Sequence, residues 1–327
     1  MTDRAGFICA GNWIVDLIHE VERWPNESEL TRIGLQTRSM GGGAANVISA
    51  LAKLKTGLPL YPMGAIGDDE HGAFILSECA ALGLPVAGLT TKPDVATAHT
   101  HVMSVAGQSR TFFYQGGAND VLSIDDFPLG TFAESKARIF YLGYLTLLGT
   151  LDKATSDGPT NAARVLERAS KAGLITCVDL VSMPHHRFPE IVASAAPFLD
   201  YLVTNELEAA LALGADLSTE PDVMSEMAHA LLRLGLRKSA IVHSAECAVW
   251  VGQDGVEHVV EADVLPQETI ASTLGAGDAF CAGLLYGVHE SMAPERSIAL
   301  AMAVARASLK GLAATSAIPA IEEILPI

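Results

Sequence analysis

Short apolar runs that stop at or near Gly, Asn or Asp recur along the chain: Phe7–Ala10, Leu174–Val178, Tyr201–Val203 and Ala240–Val242. Runs of this length between turn residues predict buried strands. Between them the apolar period changes. Ala45–Leu54 places Val47, Ile48, Leu51 and Leu54 on one stripe, the spacing of an amphipathic helix. Asn161–Ala172 predicts a second helix, with Gly173 at the usual stop position. Pro221–Leu234 predicts a third, its proline near the start where a missing N–H does no harm. Strands alternating with helices predict βαβ units around a mostly parallel sheet. Ligands of such sheets bind beyond the carboxyl ends of the strands, so the polar residues just after each apolar run carry the functional interest.

Two stretches break this rhythm. Trp13–Met40 and Thr97–Gln115 alternate as β segments do. In the second, His101, Met103 and Val105 fall on one face, and Thr111, Phe113 and Gln115 line up after a turn at Gly107–Arg110. These segments, about 13–40 and 97–115, are expected to form a small β lid on one domain spanning residues 1–327, since no repeat, low-complexity segment or linker divides the chain.

Half of the 327 residues are hydrophobic, enough for a large core. Lys and Arg number 21 against 38 Asp and Glu, a formal charge of −17, which argues against nucleic acid or an anionic membrane as partner. A phosphate-bearing ligand stays open, because backbone N–H groups and a metal ion can hold phosphate. The five cysteines, Cys9, Cys79, Cys177, Cys247 and Cys281, are scattered and form no C-x-x-C pair. That pattern disfavours a disulfide framework or structural zinc and fits a reducing cytoplasm. The first residues lack a basic, then apolar, leader pattern, and no run of about 18 apolar residues occurs, so a soluble cytoplasmic protein is expected.

The densest chemical signal is Ser272-Thr273-Leu274-Gly275-Ala276-Gly277-Asp278-Ala279-Phe280, followed by the small residues Cys281, Ala282 and Gly283. The glycines allow a sharp turn that points N–H groups into one cavity, and the small residues allow a helix to begin there and pack closely. A helix N-terminus of this kind suits an anion. Asp278, in the first turn, is placed to accept a hydrogen bond from an attacking hydroxyl and to take its proton. An ordinary tight turn with a capping aspartate would use the same residues. The chain contains no Gly-Lys dipeptide, so this is not a Walker A loop.

These residues, with five other segments in order, resemble the ribokinase-like (PfkB-type) carbohydrate kinases. Gly11-Asn12 with Asp16 is similar to the family's first-strand substrate motif. Gly41-Gly42-Gly43-Ala44-Ala45-Asn46 is similar to its N-terminal signature, and Gly64–Asp69 with Gly72 to its G-x-x-G-x-D-x-x-G segment. Arg110-Thr111-Phe112 with Gly117-Ala118-Asn119 resembles the lid-return segment. Asn205–Glu208 resembles the Asn-x-x-Glu motif, and Leu274–Asp278 the C-terminal signature. The resemblance implies a doubly wound α/β domain with a β lid, and ATP-dependent phosphorylation, with Mg²⁺, of a hydroxymethyl or similar alcohol on a sugar-like molecule. It implies that Asp16, Gly42 and Asn46 bind the acceptor, that Asp278 is the base, and that Gly275, Ala276 and Gly277 form the anion hole. It further implies that Asn205, His243, Ala245, Ala248 and Thr273 lie along the nucleotide, that Glu208 organises the water shell of Mg²⁺, and that lids can pair into a homodimer.

Three segments depart from the family pattern. Ser272-Thr273 stands where members usually have Asp-Thr, which puts a monovalent-cation site in question. Asp179-Leu180-Val181-Ser182 replaces Asp-x-Asn, with Ser182 as the one available polar substitute. His243–Ala248 replaces Thr-x-Gly-x-x-Gly, so both glycines are alanine, a change tolerated only where φ stays negative. Plainer structural roles exist beside the implied ones: a turn residue for Asp16, a cap of a helix from Val47 for Asn46, a cap and a first-turn acid for Asn205 and Glu208. A nucleoside kinase of the same family, with Trp13 or Phe113 stacking on the base, and a non-catalytic sugar-binding protein on the same scaffold are the alternatives.

Overall fold

The computed structural model describes residues 4–105 and 110–325, so most of the expected turn at Gly107–Arg110 lies outside the described residues. Among the described residues there are thirteen strands: β1 (Phe7–Gly11), β2 (Ile14–Val21), β3 (Ile33–Gly41), β4 (Leu60–Gly67), β5 (Leu89–Lys92), β6 (His99–Val105), β7 (Thr111–Gln115), β8 (Ile139–Leu145), β9 (Ile175–Leu180), β10 (Tyr201–Asn205), β11 (Ser239–His243), β12 (Cys247–Gly252) and β13 (Glu257–Glu261). Nine of them make one sheet in the order β13-β12-β11-β10-β9-β8-β1-β4-β5. From β11 to β5 every pairing is parallel, and β12 and β13 add an antiparallel edge.

The strands carry apolar residues on both faces, as a parallel sheet covered by helices on both sides requires. Phe140, Leu142, Val178, Leu202 and Ala240 face the helices Asn161–Lys171, Phe188–Ala195, Glu206–Leu213 and Pro221–Leu232. Ile139, Tyr141, Cys177, Val203 and Ile241 face Gly43–Lys53, Glu70–Ala81, Ala276–His289 and Pro294–Ser308. Adjacent residues of one strand therefore enter different cores. Gly173 ends its helix with φ 82°, and the helix that begins at Pro221 stops at Leu232, two residues short of the sequence-based limit.

The two β stretches outside the α/β rhythm form a separate four-stranded sheet, β3-β2-β6-β7. It starts two residues after β1 and returns at Gly41 to the helix Gly43–Lys53, so both ends of its first hairpin are tied to the main sheet. Asp16, Thr100 and Tyr114 stand opposite one another on one face; Leu17, His101 and Phe113 stand on the other. The second face packs against the helix Glu70–Ala81, where Arg38 lies over the Phe74 ring at 4.3 Å. His99 and His101 of β6 are part of a row of rings on this face. His19 Nε2 and His101 Nδ1 are 3.0 Å apart, and the rings of His99 and His71 continue the row. Among the described residues no group of three or more His, Cys, Asp or Glu is arranged to hold a metal ion.

Trp13 corrects an expectation. It is fully buried, donates Nε1–H to the Met63 carbonyl at 2.9 Å, and anchors the start of the second sheet; it is not available to stack on a base. Phe113 points to the face opposite Asp16.

Asp69 joins the two sheets. Its carboxylate caps the helix Glu70–Ala81 through Gly72 N–H (2.8 Å) and takes hydrogen bonds from Thr97 N–H (2.7 Å) and Oγ1 (2.6 Å), just ahead of β6. Asp69→Ala is expected to lower unfolding free energy by about 1–2 kcal/mol, read from urea denaturation, because it removes a cap and a sheet tether together.

Candidate functional site

The strands β1, β8, β9, β10 and β11 all end on the same side of the sheet, and the polar residues after them converge there. The helix Ala276–His289 begins at this edge. Gly275, in the left-handed region at φ 74°, precedes it and turns the chain sharply. Ala276 N–H folds back to Thr273 O at 3.3 Å, and Ala279 N–H goes to Gly275 O at 2.9 Å. Among the described residues, the N–H groups of Gly275, Gly277 and Asp278 keep no protein acceptor. Gly277 borders open space: a Cβ there would meet nothing nearer than His243 Cε1 at 3.9 Å. Three free donors at the start of a 14-residue helix form an anion cradle.

Asp278 is 3 % exposed. Its Oδ2 accepts from Asn46 Nδ2 at 2.8 Å and from the Tyr144 hydroxyl at 2.9 Å. Its Oδ1 is buried and has no hydrogen-bond partner among the described residues. Burial pushes the carboxyl up to about 7; the Asn46 and Tyr144 hydrogen bonds hold it down, and the charges of Glu208 and Asp16 push it further up. Asn46 is therefore not a helix cap. The helix begins at Gly43, with Gly42 as its cap at φ 91°, and Asn46 sits inside the first turns facing Asp278.

Asp16 lies on the second sheet with its carboxyl buried on the face that Thr100 and Tyr114 share. Burial lifts it to about 7 against the pull of the Thr100 hydroxyl and the Arg110 charge. Arg110 donates from Nη1 to Ser272 Oγ at 2.7 Å and so connects the second sheet to the loop before the anion cradle. Ser272, which replaces the family's aspartate, is here the acceptor for an arginine.

Glu208 and Asn205 form a reciprocal cap on the helix Glu206–Leu213: Glu208 N–H to Asn205 Oδ1 at 2.8 Å, and Asn205 N–H to Glu208 Oε2 at 3.0 Å. The structural reading of this pair holds. Ser182 adds a second layer, donating to Glu208 Oε1 at 2.9 Å and accepting from Asn205 Nδ2 at 2.9 Å. Burial raises Glu208 to about 7.

His243 ends β11 and stacks on Phe280, with ring centroids 4.3 Å apart. Burial lowers it to about 4, so it is a neutral imidazole at physiological pH. Ala245 and Ala248 both keep negative φ, so neither glycine-to-alanine change strains the backbone. Ala245 is exposed in the β11–β12 turn, and Thr273 is exposed beside the cradle. Ala248 is fully buried within β12, and its methyl joins the core instead of the cleft.

Sequence reasoning missed Tyr144, and it named Asp179 and Arg110 within family segments without giving either a role in the site. Asp179 accepts from Tyr144 N–H at 2.8 Å, and burial and then the charge of Asp278 raise its carboxyl well above the ordinary range. Tyr144 and Asp179 sit at strand ends, the position that attracts functional residues, but tyrosine within an apolar run gives no signal of its own.

A fold of this kind, with an anion cradle and a buried carboxylate at the strand ends, defines a phosphotransferase-type α/β scaffold. The structure of Arabidopsis thaliana ribokinase complexed with ribose and ATP superposes with a TM-score of 0.78 at 23% identity, covering 98% of this chain and 97% of that one. Burkholderia thailandensis nucleoside kinase in complex with inosine superposes with a TM-score of 0.73 at 19% identity, covering 98% and 96%. Deoxyribokinase of Salmonella typhi is 24% identical over 313 residues, 96% of this chain and 95% of that protein. The model of the pfkB family carbohydrate kinases matches residues 5–321, and the chain belongs to that family. Among the described residues no helix is long and apolar enough to cross a membrane.

The neutral state of His243 is testable directly. In a ring-proton NMR titration its resonances are expected to stay neutral at about pH 6, where an unperturbed histidine is largely protonated.

Proposed function

We propose that this protein transfers the γ-phosphoryl group of ATP to an alcohol, most simply a hydroxymethyl group, of a sugar-like acceptor. The observation that carries the reading is Asp278: one oxygen held by two donors, the other buried and free, at the mouth of three unpaired N–H groups. The acceptor hydroxyl gives its proton to Asp278 Oδ1 as its oxygen forms the new bond to the γ-phosphorus. The bond from that phosphorus to the β–γ bridging oxygen breaks, and ADP leaves with the electron pair. The N–H groups of Gly275, Gly277 and Asp278 stabilise the charge that spreads over the transferred group.

Asp16 and Asn46 bind acceptor hydroxyls beside Gly42, where φ 91° and the close approach of Asn12, whose carbonyl oxygen would stand 2.6 Å from a Cβ, demand glycine. Where each buried polar group needs its partner, an acceptor lacking one hydroxyl is rejected. His243, Ala245 and Thr273 line the nucleotide's path, His243 as a neutral stacking surface. Asn205 acts through its hold on Ser182 and Glu208. The all-oxygen set of Ser182, Asn205 and Glu208 fits Mg²⁺, which keeps most of its waters, with Glu208 as the carboxylate that would hold it. When bound, the ion neutralises phosphate charge. The four-stranded sheet serves as a lid that excludes water, with Arg110 linking it to the cradle. Ile33, Leu35, Phe112 and Phe113 on this sheet are about half exposed, which favours a homodimer through the lid. Five buried, unpaired cysteines favour the cytoplasm.

An ADP-release screen of sugars, sugar acids, polyols and nucleosides with Mg-ATP tests the reading; no acceptor-dependent release from any of them would sink it. With the acceptor found, Asp278→Ala is expected to lower kcat roughly 100- to 10,000-fold with little change in acceptor affinity. The base must be ionised, so kcat/KM is expected to rise with pH and reach half its plateau near the Asp278 value of about 7. Light scattering reads the dimer: Phe112→Asp is expected to halve the mass, and a wild-type chain already of monomer mass rules the dimer out.

A further inference from the structure

The segment Gly143–Thr146 adopts backbone that ordinary side chains avoid. Tyr144 has φ 55° and Thr146 φ 86°, both in the left-handed region, and the register of β8 against β9 shifts between Leu142 and Leu145. Such conformations cost free energy and persist only where surroundings enforce them. Here the enforcing contacts are visible. Tyr144 N–H is held by Asp179 Oδ1 at 2.8 Å, and Asn12 Nδ2 reaches the Tyr144 carbonyl at 3.4 Å. The ring then lies against Gly43, where a Cβ would stand 2.7 Å from Tyr144 Cδ1. The outcome of the strain is one contact: the hydroxyl reaches Asp278 Oδ2 at 2.9 Å.

We infer that Tyr144 is a positioning residue for the phosphoryl transfer: with Asn46 it pins Oδ2 of Asp278, and so leaves Oδ1 as the oxygen that faces the acceptor. The inference rests on the function proposed above. A carboxylate held by one donor can rotate and present either oxygen; two donors converging on one oxygen, from a helix and a strand end, fix the plane of the group. Both donors also favour the charged form, which counts for much in a buried site. Tyr144 cannot compete for the acceptor's proton, because burial and the charge of Asp278 hold its own hydroxyl well above the ordinary tyrosine range. The other titratable groups around Asp278 are Asp179 at the end of β9, Glu208, Asp16, Tyr141 of β8 and Cys281 on its own helix.

The test uses the full chain labelled with ¹³C at aspartate carboxyls, with Asp278→Asn to assign the resonance. In Tyr144→Phe the Asp278 midpoint is expected to move up by about one pH unit. Gly43→Ala, which displaces the ring and keeps the hydroxyl, is expected to move it the same way. With an acceptor that supports turnover, Tyr144→Phe is expected to lower kcat about tenfold at neutral pH, to move the acid limb upward by the same unit, and to leave KM for the acceptor nearly unchanged. An unmoved midpoint in both variants overturns the inference, as does a rise in KM or a pH-independent fall in kcat without movement of the acid limb. Full activity of Asp278→Asn would instead sink the proposed function, so the two failures are distinguishable.

Discussion

A carboxylate taken out of water must find its hydrogen bonds in the protein, and at Asp278 that requirement organises the whole centre of the molecule. The two donors and the aspartate that accepts from them come from three places far apart in the chain. The helix Gly43–Lys53 supplies Asn46, the end of β8 supplies Tyr144, and the helix Ala276–His289 supplies the aspartate itself. Each sits where it does because a parallel sheet delivers its strand ends to one edge. The cost of burial is only partly compensated, since Oδ1 has no partner. A group in that condition has free energy to gain from a hydroxyl brought to it, and an acceptor alcohol provides one.

The same economy of groups marks the cluster of Ser182, Asn205 and Glu208. Glu208 and Asn205 complete a helix cap with each other, and Ser182 donates to the other carboxylate oxygen, which leaves further lone pairs open. Structural and functional readings of this motif are compatible: the cap fixes the carboxylate without consuming its capacity to order water. Ser182, three residues after Asp179, makes a polar contact that Val181 could not make.

The fold was legible in the sequence because its period was. Apolar runs bounded by Gly and Asp marked the central strands, and the 3.6-residue stripe of Val47, Ile48, Leu51 and Leu54 marked its helix. The second sheet was legible from two-residue alternation, although Trp13 belongs to the core because its large ring caps the junction with the main sheet. The carboxylates Asp278, Asp16 and Glu208 stood out by motif. Their partners Asn46 and Asn205 stood out with them, but Tyr144 and the link from Arg110 to Ser272 did not. Tyr144 lies inside Ile139–Leu145, a run that reads as buried strand, and only the strained backbone at its end turns the hydroxyl toward the site. Arg110 looked like part of a turn, because its partner Ser272 lies 162 residues away. Contacts set by tertiary geometry leave no trace in local pattern. The buried methyl of Ala248 illustrates the converse: a position suggested by motif alignment alone faces the core.

The ring of Tyr144 occupies the volume that a side chain at residue 43 would need. The two positions therefore cannot drift independently. A lineage that gained bulk at 43 would first have to surrender the aromatic ring, and one that lost the ring would leave 43 crowded by Gly143 Cα and the Tyr141 hydroxyl, each 3.1 Å from a Cβ. Paired replacement at 43 and 144 is thus the path of least resistance between this active-site design and another.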